Sequence, residues 1–461
     1  MIRSLIIALG AFTAFQGIAE GIPLDINDPG PFESIKNAAA TAAFNMMSYY
    51  HGNESGQIPG KLPGTWWTGG EMCMALVQYW YWTGDTSYND VTRQALLWQK
   101  GHNDYLPDNY TQDLGNDDQV FWGLAAMTAA ELNFPEEDGQ PSWVSLAQGV
   151  FNTQVREWDT KNCHGGLRWQ RNPLNGGWNL KNSVSNGGLF QLSSRLARYL
   201  KDNHTYVEWA EKVWDWSVSV PLIDNSTWSV YDTVNVDDQC KSPGRDQWSY
   251  NYGIYLSGAA YMYNLTTENK WKDVADNLLN STIRLFFKGM ILSEVACESK
   301  GAVGCDGNQD TFKSLTSSWL VFVASIMPYT ADAIIPRLQQ SAIGAAKQCT
   351  GLADHKHCGQ RWYLDKFDGT TGMHEEMCAL SIFSAIMEPF DDKHKEQGPL
   401  TADTGGTSKS DPTAGTGSQD PQDNHKLPRE IGTADRAGAA IITVVVSVSW
   451  IGMMLWMVIG D

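Results

Sequence analysis

Six segments of this chain are apolar all round a helical wheel and rich in small residues: 70–82 (GEMCMALVQYWYW), 118–131 (DQVFWGLAAMTAAE), 187–200 (GGLFQLSSRLARYL), 251–264 (NYGIYLSGAAYMYN), 313–326 (KSLTSSWLVFVASI) and 374–387 (HEEMCALSIFSAIM). Amphipathic segments alternate with them, near 33–50, 88–102, 142–158, 206–218, 269–287 and 331–348. In 206–218, Val207, Trp209, Ala210, Val213, Trp214 and Trp216 gather on one broad face beside Glu208, Glu211 and Lys212, as expected of a helix with one wet side. Strand-like alternation is scarce. The pattern predicts an all-α fold of twelve helices. Its simplest closed arrangement is an (α/α)6 barrel, in which six inner helices touch neighbours on nearly every side and six outer helices face water. An open superhelix of helix pairs, a binding scaffold, would show a clearer repeated consensus. The irregular connections 159–186 and 219–250 favour a closed catalytic body whose loops shape a cleft.

Ring closure sets the first and last inner helices side by side, and Cys73 and Cys378 lie at similar depths in them. A disulfide between these two is therefore expected, with a pair of buried free thiols as the alternative. Among the eight cysteines, Cys297 with Cys305 and Cys349 with Cys358 can each close a short loop. No Cys-x-x-Cys pair occurs, which argues against a zinc or redox centre.

Both ends read as processing signals. Residues 1–19 carry one arginine before a short apolar stretch ending in small residues, the form of a secretory signal peptide. Residues 437–461 are almost wholly apolar and have no Lys or Arg behind them. That fits a signal exchanged for a glycosylphosphatidylinositol anchor, a retained transmembrane helix being the alternative. Residues 391–436, rich in Asp, Gly, Thr, Ser and Pro, bury too little apolar surface to order themselves and are expected to form a flexible stalk. Residues 20–390 then form one catalytic body. Sequons begin at Asn53, Asn109, Asn203, Asn225, Asn264 and Asn280, each expected at an exposed point of that body. Together these signals point to the secretory pathway and the outer face of the plasma membrane or the cell wall.

The formal charge of −19 argues against a nucleic-acid partner, whose binding depends on positive groups that displace counterions. A neutral polysaccharide makes no such demand. The 20 tryptophans and 17 tyrosines supply flat faces suited to sugar rings, although many must serve as core.

The sharpest local feature is Leu114-Gly115-Asn116-Asp117-Asp118-Gln119, where a polar loop enters the second inner helix. Asn116 or Asp117 can cap that helix, but capping uses a single carboxylate. Glycosidic cleavage uses two, one attacking or stabilising C1 and one donating a proton to the leaving oxygen. Mutual repulsion between adjacent acids keeps one protonated and one ionised. A second pair, Asp237-Asp238, is the rival; it can bind sugar hydroxyls, organise its loop or hold an ion. An oxygen-rich calcium site needs more ligands than the sequence identifies, so no metal and no cofactor are assigned. Further candidates at helix entrances are Trp66, Trp67, Asn116, Trp122, Asn182, Asn186, Trp248 and Tyr252, aromatics for subsites and amides for sugar hydroxyls. His374 and Glu375 enter the sixth inner helix as cleft or cap residues.

At N-D-D-Q-V-F-W-G-L-A-A-M-T-A-A-E, and at W-W-T-G-G-E, G-G-L-R-W-Q, N-S-V-S-N-G-G and W-S-Y-N-Y-G, the chain resembles fungal members of glycoside hydrolase family 76. These are the α-1,6-mannanases of the defective-in-filamentous-growth and defective-cell-wall type. The resemblance spans essentially the whole body. It implies an (α/α)6 fold and a retaining endo-α-1,6-mannosidase, with Asp117 matching the nucleophile and Asp118 the general acid/base. For anchored fungal members it also implies cleavage within the mannose core of a glycolipid anchor and transfer to cell-wall β-glucan. A cell-surface carbohydrate-binding protein without turnover is the alternative from another class.

Overall fold

The computed structural model describes residues 31–62, 64–108, 114–202, 204–299, 304–390, 398–417 and 433–459. The segment 1–19 and the sequons at Asn109 and Asn203 lie outside these. All twelve expected helices form: α1 (Pro31–Ser48), α2 (Trp67–Thr83), α3 (Asn89–Trp98), α4 (Asn116–Glu131), α5 (Trp143–Arg156), α6 (Ser183–Leu200), α7 (Thr205–Ser219), α8 (Ser249–Thr266), α9 (Asn269–Phe286), α11 (Phe312–Ile326), α12 (Ala331–Gln348) and α13 (Met373–Ala385), with a single turn α10 (Val295–Glu298) between α9 and α11.

The inner ring closes. Helix α2 packs on α4, α4 on α6, α6 on α8, α8 on α11, α11 on α13, and α13 back on α2, while α3, α5, α7, α9, α12 and α1 lie outside them. Inner helices are buried on every face, as their apolar girth requires. Their small residues permit the approach: a methyl at Gly188 of α6 would meet Val120 of α4 at 2.4 Å. Every inner helix starts at one end of the barrel, the mouth. At the opposite end, the base, a buried Glu131–Arg195 ion pair at 2.6 Å and a hydrogen bond donated by Tyr261 to Glu131 join α4, α6 and α8.

The long mouth connections are tied together. Strand β1 (Leu180–Asn182) pairs antiparallel with β4 (Thr233–Asn235), and β4 with β5 (Pro243–Gly244); two small hairpins, β2–β3 (223–224, 229–230) and β6–β7 (287–288, 291–292), complete the strands among the described residues. A Cys163–Cys240 disulfide links the same two connections.

Cys297–Cys305 and Cys349–Cys358 pair as their spacing suggested. Cys73 and Cys378 do not: both are buried free thiols. The Cys378 sulfur is directed to the carbonyls of Asp310 and Thr311 at 3.1 and 3.6 Å, at the entrance of α11, so neighbouring helices do not bring these two side chains into register.

Residues 398–417 depart from the expected stalk and form a strap docked on the body. Leu400 and Ala402 donate backbone N–H groups to the carbonyls of Glu131 and Tyr199 at the base, each at 2.9 Å. Ser408 accepts the Val144 N–H at 2.9 Å and donates to Glu136 at 2.6 Å. A stretch poor in apolar side chains orders here because its backbone satisfies helix-end carbonyls and side-chain amides, which composition does not register. The described sequons, at Asn53, Asn225, Asn264 and Asn280, are all exposed. The Asn264 amide is engaged, donating to the Ile326 carbonyl at 3.0 Å and accepting from Arg198 at 2.7 Å.

Helix α14 (Thr433–Ile459) contains a stretch, Arg436–Met454, long and apolar enough to cross a membrane, with none of it buried.

Candidate active site

The first turn of α4 carries the acid pair. The cap position is Gly115, in extended conformation, and neither Asn116 nor Asp117 caps. Instead Asp118 reaches back and accepts the Gly115 N–H at 2.7 Å, while Asp117 accepts the Asp118 N–H at 3.0 Å. The turn is clamped from outside by the arm 168–170: the Asn116 N–H donates to the Trp169 carbonyl at 2.9 Å and its amide to the Arg168 carbonyl at 3.0 Å. Asn182, the cap of α6, accepts the Ser185 N–H at 3.3 Å and donates to Asp117 at 3.3 Å.

Burial pushes both acids up. Asp118 is raised to about 6 by desolvation. Asp117 is raised further, by desolvation first and by the charge of Asp118 second, against hydrogen bonds from Asp118 and Asn182. The helix N-terminus favours their ionised forms, so burial opposes the dipole. The pair behaves as one unit that readily holds a single proton.

The other sequence candidates divide. Trp67 packs on Phe121 at 4.5 Å, one turn below the acids, and donates to Asn308 at 3.3 Å. Trp248, half-buried, meets Phe312 edge-on at 5.7 Å. With Asn182, these belong to the mouth. Trp122 is fully buried between Trp66 and Tyr105, at 5.2 and 5.6 Å, and Trp66 donates inward to Gln99 at 2.8 Å. These two tryptophans are core. Asn116 and Asn186 are buried and fasten the 167–169 arm, Asn186 through both the N–H and the carbonyl of Leu167. Tyr252 is buried too, accepting the Val230 N–H at 3.0 Å. Asp237 and Asp238 organise their own loop, as Asp237 accepts from Asn179 at 3.0 Å and Asp238 takes the N–H groups of Lys241 and Ser242, both at 3.1 Å.

Sequence reasoning did not single out Tyr250 within W-S-Y-N-Y-G, and it missed Asp232 and Asp310. Tyr250, buried, lies within electrostatic reach of Asp117 and Asp232 and stacks on Phe312 at 3.9 Å. Asp232 is raised to about 6 by burial and accepts from Asn251 at 3.0 Å. Asp310, at the entrance of α11, is raised to about 7, by burial and then by the charge of Glu375; Glu375 is itself raised by burial, and the neighbouring His374 is lowered for the same reason. The rule that picked Asp117, an acid at an inner-helix entrance, also picks Asp310. Gly115 was passed over although its missing side chain makes room for the pair: a methyl there would meet Asp117 at 2.2 Å and Asp118 at 3.3 Å.

A barrel mouth with two adjacent carboxylates whose proton affinity is raised by burial, beside an aromatic wall, is the equipment of glycoside cleavage. Residues 34–402 match the profile of Glycosyl hydrolase family 76. The chain belongs to that family. Among family 76 relatives, it is 41% identical over 95% of its length to mannan endo-1,6-alpha-mannosidase DCW1 of Candida glabrata, covering 96% of that protein. To DCW1 of Saccharomyces cerevisiae it is 40% identical over 99% of its length and 100% of the relative's. Among solved structures, Dfg5 from Chaetomium thermophilum in complex with glucosamine superposes with a TM-score of 0.82 at 43% identity, over 87% of this chain and 99% of that one. An inactive variant of the α-1,6-mannanase of Salegentibacter sp. HEL1_6, in complex with α-1,6-mannotriose, shares the fold, with a TM-score of 0.62 at 18% identity over 77% and 99% of the two chains. Family 76 membership makes this chain a glycoside hydrolase of the fungal mannan endo-1,6-alpha-mannosidase type.

Proposed function

We propose that the protein is a retaining endo-α-1,6-mannosidase or transglycosidase with Asp117 as nucleophile and Asp118 as general acid/base. The observation that carries this reading is the half-buried acid pair side by side on the first turn of α4, Asp118 held by the Gly115 N–H and Asp117 by the Asn182 amide. In the first step an Asp117 oxygen bonds to C1 of a mannose as the C1–O bond breaks, and the Asp118 proton passes to the departing oxygen. In the second, Asp118 takes a proton from water or a sugar hydroxyl, whose oxygen bonds to C1 and frees Asp117. With no sugar bound, the shared proton favours Asp117, because Asp118 already accepts the short Gly115 bond. Positive charge developing at C1 against Asp117 reverses that preference and leaves the proton on Asp118, where the leaving oxygen needs it.

The donor is an α-1,6-linked mannan or the mannose core of a glycosylphosphatidylinositol-anchor glycan, and the acceptor is water or cell-wall β-glucan. The apolar tail containing α14 supports attachment to the outer face of the plasma membrane, through a lipid anchor exchanged for residues 437–461. The role is cell-wall biogenesis.

The test uses linear α-1,6-mannan and an aryl α-1,6-mannobioside with a good leaving group, with and without β-glucan. Asp117→Asn should lose turnover of both substrates. Asp118→Asn should lose the mannan but still release the aryl group, whose departure needs no proton. Interchanged behaviour would reverse the two roles, and full activity in either variant would end the mechanism. Glycosylated glucan among the products would demonstrate transfer.

A further inference from the structure

The turn 159–166 is built around one cation. Lys181, the middle residue of β1, is fully buried, and its ammonium donates to the carbonyls of Asn162 at 2.7 Å, Asp159 at 3.3 Å and Gly165. The Asp159 carboxylate stands 3.4 Å away, and the centre of the Trp216 ring lies 5.7 Å from the nitrogen. An ammonium has three protons to give, and here three carbonyls receive them. The backbone bends sharply to supply those carbonyls: Cys163, His164, Gly165 and Gly166 have successive φ angles of 54°, 57°, 149° and 89°. Residues other than glycine avoid that region, and such a run persists only where its surroundings hold it. The Lys181 ammonium and the Cys163–Cys240 disulfide provide that hold.

Two routes join this turn to the acid pair. On the first, Arg168 donates to the Asp159 carboxylate at 3.1 Å, and the carbonyls of Arg168 and Trp169 grip Asn116, the residue before Asp117. The Trp169 N–H donates to the Leu180 carbonyl at 2.7 Å, which pins the arm 168–170 to the residue before Lys181. The second route runs through the residue after it. Side chains alternate along a strand, so Asn182 leaves β1 on the face opposite Lys181 and donates to Asp117 at 3.3 Å.

We propose that Lys181 is a positioning residue for the acid pair. Its ammonium binds the turn, the arm and β1 into one rigid piece, and that piece sets where the Asp117 carboxylate stands. This rests on the catalytic role given to Asp117 above. A neutral side chain at 181 would leave buried carbonyls without donors, and the turn would open toward water to satisfy them, releasing its grip on Asn116.

The test measures kcat/KM, which reports formation of the glycosyl-enzyme, on linear α-1,6-mannan and on the aryl α-1,6-mannobioside. Each protein is assayed well below its own melting temperature. Lys181→Met fills similar space without the charge. Its kcat/KM should fall about 100-fold on both substrates, the cost of a carboxylate moved by about 1 Å, while circular dichroism stays native. Should that variant not fold, Asp159→Asn decides: it can still accept the N–H groups of Lys161 and Asn162 but puts no charge between Lys181 and Arg168. A smaller displacement, and a loss of about tenfold on both substrates, is expected of it. Native kcat/KM with only the melting temperature reduced overturns the inference, because a purely structural prop costs stability and not rate per folded molecule. A loss confined to the mannan overturns it as well, since that marks the Asp118 proton and not the place of Asp117. Activity retained by Asp117→Asn would instead remove the catalytic reading on which the inference rests.

Discussion

Asn182 donates to the Asp117 carboxylate at 3.3 Å while its own oxygen caps α6 through the Ser185 N–H. One side chain therefore starts one inner helix and steadies the Asp117 carboxylate on another. Asn182→Asp separates the two duties. Aspartate caps as well as asparagine, so the melting temperature should stay within a few degrees of the native value, but a third carboxylate beside the pair raises Asp117 further. Turnover of linear α-1,6-mannan should fall by at least about tenfold, since each unit of pKa shift is a factor of ten in ionised nucleophile. Unchanged kcat would detach Asn182 from the chemistry.

Gly115→Ala probes the room beneath the pair. The backbone at 115, with φ −83° and ψ 168°, accepts alanine without strain. The cost is therefore local: the new methyl displaces the Asp117 carboxylate, which it would meet at 2.2 Å. A misplacement near 1 Å costs about 100-fold in rate. Circular dichroism should be native and kcat reduced by that order; native kcat would mean that the carboxylate has another productive position.

Stability should fall as pH rises from about 5 to 8. Burial raises Glu71, Glu294 and Glu376 to about 8 from an ordinary 4.5. Between those values the folded chain holds protons that the unfolded chain has released, so unfolding becomes easier as pH increases. Asp85 and Asp159, both lowered, act below this window. Glu71→Gln should flatten the slope by about 1.4 kcal/mol per pH unit, one proton's worth. Denaturant titration across the window would read it, and a slope independent of Glu71 would contradict its burial as an acid.

Cutting the chain at 390 should destabilise it relative to cutting at 417. The shorter chain exposes Tyr199 and the N-terminus of α5 and loses the strap's hydrogen bonds, each worth about 1 kcal/mol net. A loss on the order of a few kcal/mol is expected in thermal or denaturant unfolding. Equal stability of the two lengths would return residues 398–417 to the role of a loose stalk.

Titration in denaturant without reductant should find two thiols, Cys73 and Cys378, because the other six cysteines pair. Peptide mapping that joins Cys73 to Cys378 would contradict the structure.

The helices were legible because their signal is local. A run such as 118–131 is apolar on all sides only if neighbours surround it, and a face such as Val207–Trp216 needs one wet side. The place of Asp117 and Asp118 on the first turn of an inner helix was legible for a related reason, since a polar loop gives way there to an apolar run. Trp122 and Tyr252 misled because an aromatic within a turn or two of a helix entrance can point to the mouth or into the core, and sequence position alone does not say which. Asp237 and Asp238 also suit a tight turn, where the Asn179 amide engages Asp237 and the backbone N–H groups of Lys241 and Ser242 engage Asp238.

The sequence by itself determined the twelve helices, their alternation between buried and half-exposed, the adjacent acids at a helix start and the apolar tail, since each depends on the order of side chains along a few turns. Tertiary structure alone decided that Asn182 and Tyr250 attend Asp117, that Cys73 and Cys378 stay apart, and that a hydroxyl-rich segment docks from the base along α5. Those outcomes depend on where backbone donors and carbonyls from distant parts of the chain meet, and hydrogen bonding of that kind leaves no trace in the pattern of apolar residues.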